Sequence, residues 1–186
     1  RLSLYWLLLP AALVVGPIII AYLFRFYQRI QGNFHVVVPG VLYRSSEMRP
    51  ALAKRYAGKY GLRSMLRLRG TNGQAEAQAA ELGLEFCSVN LRASRYEPPE
   101  RLAEYLELLR SMPKPALVCC KGGSDRSGLL AALWLYEVEG MPPSQAIKQL
   151  CLLKGHLPWY RGRWRMRQSF WDYVKYREKA QADLKK

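Results

Sequence analysis

Acidic side chains are scarce in this chain. Fourteen Asp and Glu stand against 29 Lys and Arg, and no Asp occurs before Asp125. The formal charge of +15 draws the protein toward anions: phosphorylated substrates, anionic lipid headgroups or nucleic acid. Charge alone does not choose among them. Histidine is scarcer still, limited to His35 and His156, and the four cysteines (Cys87, Cys119, Cys120, Cys151) show neither Cys-x-x-Cys pairing nor metal-ligand spacing. A zinc site is therefore not expected, nor any other metal or cofactor. Cys119 and Cys120 are neighbours and poorly placed for a structural disulfide, so the thiols are expected to be free. No internal repeat or low-complexity tract divides the chain. At 186 residues and 50% hydrophobic, it is one ordinary domain with a real core plus an appendage.

Charge is missing altogether from residues 2 to 24. As a helix this run would be about 34 Å long, enough to cross a bilayer's hydrocarbon. Trp6 near one end and Tyr22 and Tyr27 near the other suit the interfacial aromatic belts. Pro10 and Pro17 are tolerated in membrane helices. No small-x-small cleavage site precedes Arg25, which argues against a signal peptide. The expectation is a single membrane span, with residues 1–30 as anchor and flank and 31–186 as the globular domain. Arg25 and Arg29 follow the span and only Arg1 precedes it, so the visible charges place that domain in the cytoplasm. The sequence opens on Arg1 rather than Met, which leaves the count of preceding charges open.

Gln31-Gly32-Asn33 reads as a linker. Phe34 to Ser45 is a strand, a Pro39-Gly40 turn and a second strand. Helices are expected from about Pro50 to Tyr60, where Pro50 suits a first turn, from Gln74 to Leu82, and from Pro98 to Arg110. Strands are expected over 62–68, 84–91 and 115–119. The alternation predicts an α/β domain with a central, mostly parallel sheet flanked by helices. Beyond it, residues 128–138 are apolar nearly all round and predict a buried helix. Pro142 and Pro143 open another, with Ala146, Ile147, Leu150 and Leu153 on one face. Residues 163–177 form a basic, aromatic-rich helix, with Trp164, Phe170 and Val174 turned inward and the arginines on a solvated or membrane-facing surface. Nucleic acid is the less favoured reading of that helix.

Between the strand ending at Cys119 and the buried helix lies Cys120-Lys121-Gly122-Gly123-Ser124-Asp125-Arg126-Ser127. A thiolate beneath inward-pointing backbone N–H groups makes a cradle for a tetrahedral oxyanion. Arg126, six residues on, can close it with a planar fork binding two oxygens at once. The amides, the helix N-terminus and the arginine together would lower the Cys120 pKa and make it a nucleophile.

These residues resemble the phosphate loop of the cysteine-dependent protein tyrosine and dual-specificity phosphatases, His-Cys-x-x-Gly-x-x-Arg-Ser/Thr. Cys120, Gly123, Arg126 and Ser127 match, and Cys119 stands where that family usually has His. Val38-Pro39-Gly40-Val41-Leu42-Tyr43-Arg44-Ser45 resembles the opening strands of bacterial and fungal members. The resemblance covers roughly residues 34–175. It implies a dual-specificity phosphatase-like fold and a metal-independent phosphomonoester hydrolase. In that scheme Cys120 attacks phosphorus, Arg126 and the amides of residues 121–126 hold the oxygens, and Ser127 helps the sulfur leave.

Relatives commonly supply an acidic Asp from a loop some thirty residues earlier, but Asn90 to Pro98 contains none. Asp125, inside the loop as in members with a Cys-x-x-Gly-x-Asp-Arg sequence, is the favoured acid. Glu97 is the second candidate, and substrates with good leaving groups need neither. Lys121 at the rim reads either as a contact to a substrate with more than one phosphate or as a solvated lysine. His156 reads as a loop residue that faces the pocket or serves structure. The implied substrate is a phosphoprotein, phosphotyrosine above all, or a phosphorylated lipid. Similar membrane-tethered bacterial phosphatases often face outward from the inner membrane, opposite to the charge count. A rhodanese-like sulfurtransferase and a non-catalytic phosphate- or lipid-binding module are the rivals.

Overall fold

The computed structural model describes residues 2–183 and, within the first helix, the side chains of residue 13 and of 15 onward. Helix α1 (Leu2–Ile30) runs into β1 (His35–Val38) and β2 (Leu42–Ser46), followed by α2 (Pro50–Tyr60). Then come β3 (Ser64–Arg67), α3 (Gly73–Glu81), β4 (Glu85–Ser88), α4 (Pro99–Ser111), β5 (Ala116–Cys120) and α5 (Arg126–Glu137). The chain ends with α6 (Pro143–Ala146), two single 3-10 turns, and α7 (Trp164–Asp183). Local chemistry explains the boundaries. Pro50 and Pro99 sit in the first turns of α2 and α4, Gly61 closes α2 in the left-handed region, and the Asn72 side chain accepts from the Gln74 and Ala75 N–H groups to start α3.

The five strands lie in the order β1-β2-β5-β3-β4. β1 pairs with β2 antiparallel, and the other neighbours are parallel. β5 is thus the middle strand, and the chain leaves its carboxyl end where neighbours on the two sides diverge in sequence order, the place where open α/β sheets bind ligands. Pleat alternation sends Leu42, Leu66, Val118 and Cys120 into the larger core with α4, α5 and α7. Tyr43, Met65, Leu117 and Cys119 face a smaller core beside α2 and α3. Every residue of α5 from Ser127 to Leu135 is buried, as its continuous apolar run predicts.

Three expectations are corrected. The helix opened by Pro143 lasts one turn and becomes a 3-10 turn that ends at Leu150, so Ala146, Ile147 and Leu150 are buried while Leu153 is 72% exposed. Trp164 does not pack inward with Phe170 and Val174. It stands half-exposed at the start of α7, with the Arg165 guanidinium 5.4 Å from its ring centre. The stretch 31–33 is no slack linker, because Gly32 is buried beside Met48 and Leu52 and Asn33 against the reactive loop. Among the described residues no helix is long and apolar enough to cross a membrane. The side chains in the first half of the charge-free run, Trp6 and Pro10 among them, lie outside what is described.

Candidate active site

β5 ends in two thiols that the pleat separates. The Cys119 thiol lies in the smaller core, where burial pushes its pKa up to about 12. Cys120 faces α5. Burial there opposes ionisation as well, but the Arg126 guanidinium and hydrogen bonds from the Ser127 hydroxyl and backbone N–H outweigh it and hold the thiol below its ordinary range. The Cys120 Sγ to Ser127 Oγ distance is 3.5 Å. This is the polarity a nucleophile needs.

Arg126 is the first residue of α5. Its Nη1 donates at 3.4 Å to the carbonyls of Leu68 and Leu91, just beyond the ends of β3 and β4. Its Nε–H is buried and has no acceptor among the described residues. A buried charged donor left unpaired is costly unless something else supplies the acceptor. An anion above Cys120 would do so.

The loop is shaped from behind. Arg44, fully buried on β2, donates through Nη1 to the Gln149 carbonyl (2.7 Å) and Oε1 (3.0 Å), and through Nη2 to the carbonyls of Gly123 (2.9 Å) and Ser124 (3.3 Å). Burial lowers its pKa to about 10, which still leaves it a cation at neutral pH. In a trans peptide the C=O and the following N–H point opposite ways. Drawing the Gly123 and Ser124 carbonyls toward Arg44 therefore turns the N–H groups of Ser124 and Asp125 into the hollow. Asn33 adds a second support, its Nδ2 donating to the Gly122 carbonyl (2.9 Å), the Lys154 carbonyl (3.2 Å) and Ser124 Oγ (3.3 Å). His35 Nε2 lies 2.8 Å from Asn33 Oδ1 and orients that amide. Gly123 has φ +63°, and a Cβ there would lie 2.6 Å from the Ser45 carbonyl carbon. Only glycine fits.

Both candidate acids are engaged. Asp125 Oδ1 is 2.8 Å from His156 Nδ1, and Oδ2 is 3.2 Å from Arg163 Nη1. His156 is wholly buried, and its Nε2 has no partner among the described residues. Glu97 is buried rather than solvated, its Oε1 bound by the Tyr105 hydroxyl and Arg101 Nε, each at 3.2 Å. Lys121 and Gly122 are exposed at the rim. Among the described residues no three His, Cys, Asp or Glu side chains are arranged to hold a metal ion.

The structure thus gathers Cys120, Arg126, Ser127, Asp125 and His156 around one loop and leaves Glu97 in the loop before α4. Sequence reasoning missed Arg44, Asn33 and Arg163. Arg44 had a signal: it is the one charged residue of its short strand, directly after the apolar Leu42 and Tyr43. Arg163 lay hidden in a basic run, and Asn33 in a stretch with the composition of a linker.

No family profile matches the sequence, and none of the curated proteins does. Solved structures do match. P. aeruginosa TpbA in complex with phosphotyrosine is 18% identical over 75% of this chain and 83% of that one, with a TM-score of 0.61. The core catalytic domain of the PP-IP phosphatase SIW14 from S. cerevisiae is 21% identical over 82% and 92%, with a TM-score of 0.64. PTPMT1 in complex with PI(5)P is 11% identical over 76% and 97%, with a TM-score of 0.54. The chain has the α/β fold of these solved structures, a mostly parallel five-stranded sheet flanked by helices.

Proposed function

We propose that this protein is a metal-independent phosphomonoester hydrolase working through a cysteinyl-phosphate on Cys120, acting at a membrane on a phosphoprotein or a phosphorylated lipid. The observation that carries it is a thiol held below its ordinary pKa by an arginine whose buried Nε–H lacks an acceptor among the described residues. Cys120 Sγ attacks phosphorus and the bond to the leaving oxygen breaks. Arg126 and the loop N–H groups take the three remaining oxygens as charge spreads over them. Water then attacks the thiophosphate and phosphate departs. The sulfur leaves as thiolate, aided by the Ser127 hydroxyl at 3.5 Å.

Asp125 is the proposed proton donor. Its Oδ2 is paired with Arg163 and its Oδ1 shares a hydrogen bond with His156 Nδ1, and the proton of that shared bond is the one passed to the leaving oxygen. Glu97, tied down by Arg101 and Tyr105, is the weaker choice. The substrate classes are supported by the phosphotyrosine and PI(5)P complexes of similar structures. The membrane reading rests on the charge-free run 2–24.

Purified full-length protein should hydrolyse p-nitrophenyl phosphate with vanadate sensitivity, and Cys120→Ser should abolish turnover. Phosphate binding without turnover would instead indicate a non-catalytic module. Asp125→Asn should lower kcat mainly for alkyl phosphates, and equal loss on aryl phosphates would remove Asp125 as acid. Retention in the membrane pellet after alkaline carbonate extraction tests the anchor.

A further inference from the structure

A second cationic hollow lies beside the reactive loop. The segment 90–98, just after β4, encloses a cavity of about 350 Å³ whose wall includes Asn90, Arg92, Arg95, Tyr96, Glu97 and Arg101. Its arginines are not equivalent. Arg101 is matched by the Glu97 carboxylate at 3.2 Å. Arg92 and Arg95 are exposed and, among the described residues, have no acidic partner. The Arg95 N–H donates to the Arg92 carbonyl at 3.2 Å, a turn that sets both residues on the wall of one cavity. Arg165 fixes the same turn by donating to the Ser94 carbonyl at 2.7 Å. The hollow meets the reactive loop through Leu91. Arg126 Nη1 donates to the carbonyl of Leu91, and the residues on either side of Leu91 form the cavity wall.

Two guanidiniums gathered without a counter-charge repel each other and favour an anion that can bridge them. We propose that Arg92 and Arg95 form a second anion subsite for a further phosphate group on the same substrate, whose scissile phosphate is held by Arg126. This rests on the phosphatase reading and narrows it. The preferred substrate is a compact polyol carrying at least two phosphates, whether a soluble inositol phosphate or the headgroup of a phosphoinositide lipid. The notch beside Leu91 then selects by charge, independently of the thiol.

The test compares full-length protein with the double variant Arg92→Gln/Arg95→Gln. Substrates are p-nitrophenyl phosphate, a soluble inositol bisphosphate, phosphatidylinositol bisphosphate in phosphatidylcholine vesicles, and a phosphotyrosine peptide flanked by Asp and Glu. Losing charge-assisted contacts should raise KM on the bisphosphate substrates about tenfold or more beyond any change on p-nitrophenyl phosphate. Loss on both inositol substrates, or only on the one the wild type hydrolyses, supports the subsite and names its source. Equal loss on every substrate would show that the loop is merely structural. No selective loss on bisphosphates, or the largest loss on the acidic peptide, would overturn the proposal. If the wild type hydrolyses nothing, including p-nitrophenyl phosphate, the phosphatase reading itself fails. Calorimetry of inositol bisphosphate binding to Cys120→Ser, with and without the two glutamines, reads the subsite without turnover. Equal affinity there would also sink it.

Discussion

Cys119 and Cys120 are one covalent step apart and chemically far apart. Cys119, in the smaller core, is pushed up to about 12, while Cys120 is held below the ordinary thiol value by Arg126 and Ser127. Iodoacetamide at graded pH, read by peptide mapping, should therefore label Cys120 with a midpoint below 9 and leave Cys119 untouched. Ser127→Ala should move that midpoint upward, since it removes one hydrogen bond that favours the thiolate. Gly123 is the other decisive single position. Gly123→Ala adds left-handed strain and a clash with the Ser45 backbone. Displacing the loop by even an ångström should cut kcat/KM by about 100-fold, measured on p-nitrophenyl phosphate. Cys120, Gly123, Arg126 and Ser127 were legible from the loop motif with a strand before it and a helix after it, and so was Cys120 as the thiol that Arg126 favours as thiolate. What binds both oxygens of Asp125 was not, because His156 and Arg163 arrive from far along the chain.

At the scale of elements, the phosphate loop is a short irregular segment clamped by β2 on one side and by the α1–β1 turn on the other. Arg44→Met would leave the Gly123 and Ser124 carbonyls unpaired, at about 1–3 kcal/mol for each buried group, lowering Tm and kcat together. Asn33→Ala removes three donor contacts and frees the loop near Gly122. It should raise KM for p-nitrophenyl phosphate and cost about 1–3 kcal/mol of stability by urea unfolding. His35 adds a pH dependence. Burial, then the charges of Arg44 and Lys154, lower its pKa from 6.5 to about 4. Because the unfolded imidazole takes up its proton at the higher pH, protonation favours unfolding. This contribution is complete above about pH 6.5 and is lost as pH falls toward 4. His35→Gln should flatten that slope in urea titrations from pH 7 to 4. The strands and the long helices were readable from periodicity and turn residues. The turn at 31–33 was not, since glycine and polar side chains look alike in a slack linker and in a buried latch.

Over the whole molecule, the excess of 29 basic over 14 acidic residues sets a long-range field. KM for anionic substrates should rise with ionic strength as the Debye length shrinks from about 10 Å at 0.1 M toward 3 Å at 1 M. A flat salt profile would mean the site is steered only by its nearest groups. Composition, periodicity and the Cys-x5-Arg spacing determined, without coordinates, an α/β domain with a cysteine–arginine loop between a strand and a buried helix. Those features are local: they follow from side chains a few positions apart and from the pleat and helix repeats. Tertiary structure alone decided the strand order that puts β5 in the middle, the seating of Arg44 and Asn33 behind the loop, the His156–Asp125–Arg163 cluster, and the unneutralised pair Arg92 and Arg95 beside Arg126. Each joins residues far apart in the chain, and their proximity comes from the packing of the sheet and its helices, which no short stretch of sequence encodes.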